Sequence, residues 1–149
     1  MRQAITLATT NVASGGGPFG AVVVRDGQVI ATGVNQVTAT NDPTAHAEVV
    51  AIRAACKALG TFQLTGCVVY TSCEPCPMCL AALYWSRCDA VYYGNSAADA
   101  AAIGFDDSFL YQQVALPIES RKLPMQRLIP EEAIASFEAW RNQPNKIEY

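Results

Sequence analysis

Apolar residues recur along this chain with two different periods, and the switches between them mark out the elements. Ile5, Ala8 and Val12 stand at helical spacing until Gly15-Gly16-Gly17-Pro18 breaks the pattern, so a short first helix is expected before residue 15. The run of glycines reads as a plain loop, because no Gly-Lys-Ser/Thr follows it to cradle a phosphate. β-rich runs occupy residues 19–24 and 29–34, joined by Arg25-Asp26-Gly27-Gln28. Asp-Gly suits a tight hairpin turn, which predicts two antiparallel strands.

From Pro43-Thr44 to Leu59 the chain is rich in Ala, Glu, Val, Ile and Arg, and Gly60 follows, as expected of a helix with proline in its first turn. Residues 67–72 read as a buried strand, and Pro75 opens another helix that runs to about Trp85. A strand over 90–94, a short helix over 97–103 and a segment capped by Asp106-Asp107 come next. The stretch Leu116 to Pro124 reads as a connector before a final strand and a helix from Pro130 to Trp140. Strands alternating with helices predict an α/β sandwich in a single domain, 1–149.

Composition narrows the partners. Half the residues (51%) are apolar and 15% are charged, the balance of a packed globular core. With a net charge of −3 and no basic cluster longer than Arg121-Lys122, the chain lacks the electrostatic footprint of a nucleic-acid binder. No segment reaches the ~18 apolar residues of a membrane span, and the opening residues lack the apolar core of a signal peptide. A cytoplasmic, reducing location is the expectation, which argues against pairing the six cysteines as disulfides. Cys56, Cys67 and Cys88 read as small buried hydrophobes.

The candidate chemistry lies in His46-Ala47-Glu48 and, 27 residues on, Pro75-Cys76-Pro77-Met78-Cys79. Together they match the H-x-E…P-C-x-x-C signature of zinc deaminases. One imidazole and two thiolates suit a tetrahedral Zn²⁺ that keeps its fourth position for water, so one zinc per chain is expected on His46, Cys76 and Cys79. His46 is the only histidine of the chain. The positive end of a helix favours the thiolate form that the metal needs, and bound zinc brings the pKa of its water to about 7. Glu48 follows His46 by two residues, about 200° around an ideal helix, so it can flank the water as a proton carrier without binding the metal. The competing reading is a closed structural site of His46, Cys73, Cys76 and Cys79, in a binding module that is no enzyme. It leaves Glu48 without a use. An iron–sulfur cluster fits less well, since the cysteine spacing is not completed as in ferredoxins.

The segments Pro43-Thr-Ala-His-Ala-Glu48 and Thr71-Ser-Cys-Glu-Pro-Cys-Pro-Met-Cys79 resemble the cytidine deaminase superfamily over nearly the whole chain. Within it, Gly17-Pro-Phe-Gly-Ala-Val22, Gly104-Phe-Asp-Asp-Ser-Phe109 and the ending in Glu148-Tyr149 look most like bacterial guanine deaminases. The resemblance implies a three-layer α/β/α sandwich around a mixed five-stranded sheet, and conversion of guanine to xanthine and ammonia. It implies a homodimer that exchanges C-terminal segments, 125–149, with residues 117–124 as the hinge. It also implies that Asn35 binds the base, that Asp107 assists at the amine, that Tyr149 caps the partner's pocket, and that Phe19, Gly20 and Ala47 border the substrate. Taken alone, Asn35 is a strand-end turn residue, Asp107 a helix cap and Tyr149 a solvated terminus. Guanosine, tRNA adenosine and cytosine deaminases share the zinc motif and remain alternatives.

Overall fold

The computed structural model of the chain describes residues 1–149. Asp26 and Gly27 adopt φ of 51° and 75°, the left-handed pair that a two-residue hairpin requires. They join β1 (Gly20–Arg25) to β2 (Gln28–Val34), with Arg25 opposite Gln28. β3 (Cys67–Cys73) pairs antiparallel with β1 on its other side, and β4 (Ala90–Asn95) pairs parallel with β3. The sheet is mixed, in the order β2-β1-β3-β4.

Two glycines place helices on opposite faces of this sheet. Gly20 comes so close to α1 (Arg2–Ala13) that an added Cβ would lie 2.8 Å from the Ala8 nitrogen. Gly33 is likewise pressed against α3 (Ala47–Leu59), where a Cβ would collide with the Ala47 carbonyl and sit 2.6 Å from the Ala51 nitrogen. Gly33 pairs with Ala21, the neighbour of Gly20, and neighbours on a strand point to opposite faces. The sandwich therefore has three layers. Ala4 and Ala8 of α1, and Ala47, Ala51 and Ala55 of α3, are the buried residues that allow this close seating. On the α3 face, Ala21, Val23, Val69, Cys67, Leu64 and Leu83 complete the core. The last of these comes from α4 (Pro77–Ser86).

Three sequence expectations need correction. The sheet has four strands and not five, because residues 125–129 form no strand. Pro124 and Pro130 bracket that segment and remove an amide donor at each end. The second helix begins at Ala47 and not at Pro43, because Asp42 draws the chain into a turn first. Its Oδ1 accepts from the Thr44 amide at 2.8 Å and from the Thr44 hydroxyl at 2.7 Å. The helix expected from Pro75 begins at Pro77, with proline in its first turn and Cys76 as its cap. A one-turn helix, α2 (Val37–Thr40), went unforeseen.

The chain divides into two compact units, Met1–Phe109 and Leu110–Tyr149. The first contains the sheet, α1 to α4, and α5 (Ala97–Ala102). α6 (Ser108–Ala115) begins in the first unit and ends in the second. The second continues through a 3₁₀ turn (Ile118–Ser120) to α7 (Pro130–Asn142). Within it, Arg121 Nε donates to the Leu116 carbonyl and the Lys122 amide donates to Gln113 Oε1, which fold the proline-flanked connector back on itself. No helix is long and apolar enough to cross a membrane.

Gly33→Ala is expected to destabilise the protein by about 1–3 kcal/mol, since the new methyl meets helix backbone that cannot rotate away. Urea unfolding reads the change directly. An unshifted midpoint would mean that α3 is not seated on this glycine.

Candidate metal centre and active site

The ends of two helices meet at one point. His46 and Cys76 are the N-caps of α3 and α4, both with extended backbone (ψ 154° and 167°), and neither side chain is consumed in capping. Cys79 lies in the first turn of α4 and is fully buried. His46 Nδ1 is 3.6 Å from Cys76 Sγ and 3.6 Å from Cys79 Sγ. All three candidate ligand atoms lie within 4.8 Å of one another. Ligands held 2.0–2.3 Å from one tetrahedral ion stand roughly 3.5–3.8 Å apart. An N, S, S donor set at that spacing fits Zn²⁺.

The electrostatics prepare the same exchange of protons for metal. Cys76 is pulled down to about 4, chiefly by hydrogen bonding with Cys79 and further by His46, while burial opposes the shift. Cys79 is pushed up by the same bond, by burial and by the Glu48 charge. The shared hydrogen bond thus favours the thiolate form at Cys76 and the thiol at Cys79. That thiolate raises His46 through its hydrogen bond. A cation that displaces the shared proton meets ligands already drawn together.

Glu48 is the carboxyl at this centre, 5% exposed in the first turn of α3. Its Oε2 accepts from the Cys79 thiol at 3.4 Å, and its Oε1 accepts from the Thr71 hydroxyl at 3.2 Å. Burial raises its pKa, and the hydrogen bonds from Cys79 and Thr71 partly offset that. Cys73 is turned elsewhere: it ends β3 and its thiol donates to the Ser96 carbonyl at 3.7 Å.

Around this centre the other predicted residues fall into place unequally. Phe19, just before β1, accepts at its carbonyl from the Asn35 amide at 3.1 Å, and the Gln36 amide donates to Ala45 O, next to His46, at 2.9 Å. Asn35 does serve the strand-end turn, since its Oδ1 accepts from the Val37 amide at 3.3 Å; its Nδ2 group is left for another acceptor. Ala47 is fully buried between His46 and Glu48. Gly104, at φ 95°, turns the chain after α5, and Phe105 then packs edge-on against Phe19 with ring centroids 4.9 Å apart. This brings Asp107 toward the thiols: burial first, and then the Cys76 thiolate, raise its pKa. The turn at the start of α6 belongs to Asp106, whose Oδ1 accepts from the Ser108 amide at 2.9 Å. Tyr149 ends the second unit and is 71% exposed.

Thr71 and Asn11 were missed from the sequence. Asn11 Nδ2 donates to the carbonyls of Gly17 and Asn35, at 2.8 and 2.9 Å, and so clamps the glycine loop to the end of β2. Helical spacing marks neither its partners nor their distance. The alternation along β3 puts Thr71 on the face of Val69, but only the sheet register brings Glu48 over it.

Residues 1–95 match the family model for the cytidine and deoxycytidylate deaminase zinc-binding region. Over its whole length the chain is 56% identical to the guanine deaminase of Bacillus subtilis, 96% of which is covered. The crystal structure of that enzyme superposes with a TM-score of 0.97 over 99% of this chain and 95% of its own. The structure of a guanine deaminase from Nitrosomonas europaea is 35% identical, with a TM-score of 0.69, covering 72% of this chain and 63% of that one. The tRNA-specific adenosine deaminase of Agrobacterium fabrum is 51% identical over 77 residues, about half of each chain.

Elemental analysis of purified variants tests the triad. Cys76→Ser is expected to lose the zinc, whereas Cys73→Ser keeps one ion per chain; equal loss from both would close the site with a fourth protein ligand. A donor set of this kind on a sheet superposing so closely on a zinc-region relative has one consistent origin: the chain belongs to the cytidine and deoxycytidylate deaminase family of zinc-binding proteins.

Proposed function

We propose that the protein hydrolyses guanine to xanthine and ammonia, using one zinc per chain. The buried Glu48 carboxylate beside the metal triad carries the deaminase reading, and whole-length similarity to a guanine deaminase carries the choice of base. When bound, zinc supplies water activated for attack near neutral pH. The attacked carbon is C2 of the purine, which becomes electrophilic once N3 is protonated. Glu48 takes the proton of the attacking water and delivers it to N3. It then passes a proton to the departing amine, so that water and guanine balance xanthine and ammonia. Asp107 stands at the other side of C2, near the amine and N1, with its pKa raised so that it can share a proton there. The Asn35 amide holds the base edge, and Phe19 and Ala47 wall the pocket.

A second copy of the chain completes the site in this reading. The 1–149 chain acts as one deaminase domain whose segment 125–149 crosses to its partner. Three observations support this. The sheet ends at β4, whose Tyr92 and Tyr93 are more than half exposed, so that this edge is open. Residues 125–129 are in no strand of their own chain. α7 exposes Ile134, Phe137 and Trp140 along one stripe, an apolar face that needs a cover. Tyr149 then reaches the partner's pocket and excludes bulk water. A small nucleobase in the cytoplasm, rather than a nucleic acid, fits the net charge of −3.

Ammonia release from guanine, guanosine, adenine, cytosine and cytidine tests the substrate. Guanine is expected to lead by at least about tenfold; a preference for guanosine would shift the assignment to the nucleoside, and activity on none would overturn it. Glu48→Gln is expected to keep zinc and fold and to lose about a hundredfold or more in turnover. Near-normal turnover would require another proton carrier. Chains lacking residues 145–149 are expected to fold and hold zinc with little activity. Mixed with Glu48→Gln chains under subunit exchange, they should regain part of it, since one hybrid site has both Glu48 and a full tail. No recovery in confirmed mixed dimers would remove the crossing tail from the mechanism.

A further inference from the structure

The two oxygens of Glu48 have different neighbours. Oε2 faces Cys79 Sγ at 3.4 Å, on the side of the metal triad, whereas Oε1 is held by the Thr71 hydroxyl at 3.2 Å. Once Cys79 binds a metal as thiolate it has no proton to donate, so the bond from Thr71 is the side-chain hydrogen bond to this carboxylate that persists. Thr71 is itself 1% exposed, on the central strand β3. Its partners in the sheet are Ala21 on β1 and Tyr93 on β4, so its backbone is fixed by strands on both sides.

We propose that Thr71 is a positioning residue for the Glu48 carboxylate, anchoring Oε1 at the strand so that Oε2 stays turned toward the metal triad. A carboxylate on two rotatable bonds beyond Cβ would otherwise swing between the metal side and the strand. A hydroxyl donor on a rigid strand removes that freedom without touching the substrate. Thr71 lies in the motif Thr71-Ser-Cys-Glu-Pro-Cys76, yet it is not a ligand, and its own chemistry is only this bond.

The inference rests on Glu48 as proton carrier, so the experiment carries a control for that reading. Thr71→Ser and Thr71→Ala differ in one hydroxyl and share the loss of the methyl group, which separates hydrogen bonding from packing. Guanine turnover, KM, zinc content and melting temperature are measured for both, beside Thr71→Val and Glu48→Gln. Thr71→Ser is expected to stay within about threefold of the unaltered kcat, while Thr71→Ala falls a further tenfold or so, the usual scale of one hydrogen bond to a charged group. KM should move less than about twofold in both, and zinc should stay at one per chain. Thr71→Val, which keeps the shape, is expected to behave as Thr71→Ala; should it fail to fold, the Ser and Ala pair still decides. Equal kcat in the Ser and Ala variants, with Glu48→Gln inactive, would overturn the role of Thr71 and leave the deaminase reading standing. An active Glu48→Gln would overturn the reading beneath it.

Discussion

The seating of the first turn of α3 against Gly33 is the contact on which the rest of the molecule depends. Helix backbone lies directly on strand backbone there, with no side chain between them. Because the helix comes that close, the residues before and after its cap are delivered to a defined depth: His46 at the cap, half-buried, and Glu48 in the first turn, almost fully buried. α4 meets the same end with Cys76 as its cap, and the two helix starts converge on one point. Two N-termini aimed at one place would repel an ordinary cation. Two thiolates holding a metal would offset that field.

A cost comes with that placement. Moving a carboxylate into a site 5% exposed penalises its charge, and the structure partly offsets this with donors from Thr71 and Cys79. The outcome is a carboxyl held above its ordinary pKa beside the metal triad. Asp107 is raised as well, by partial burial and by the Cys76 charge, and it arrives by a separate route, on a loop turned at Gly104 and pinned where Phe105 packs on Phe19. Two carboxyls on unrelated elements thus feel the same Cys76 charge.

The second unit obeys a different logic. Its longest helix, α7, has no fully buried residue and leaves Phe137 73% exposed. Hydrophobic surface on that scale, in a chain whose sheet also ends in an open edge, is what the proposed exchange of segments between two copies would cover.

What the sequence by itself determined was local. Asp26-Gly27 made the hairpin because few other dipeptides tolerate that backbone, Gly60 closed α3 and Pro130 opened α7. The spacing of His46, Cys76 and Cys79 pointed to a zinc site, and the structure brings those three ligand atoms within 4.8 Å of one another. The fifth strand was a misreading: the pattern along 125–129 allows a strand, but pairing requires a neighbouring edge, which no local pattern contains. Thr71 stayed hidden for a related reason, because its partner is 23 residues away in sequence and the two meet only when α3 lies across the β1–β3 register. Asn35 and Asp107 became candidates through resemblance alone, because their surroundings come from Asn11, Phe19 and Phe105, on three separate segments. Periodicity and spacing encode what a residue does within its own turn or strand, whereas contacts across the sheet depend on register and helix depth, which only the packed chain sets.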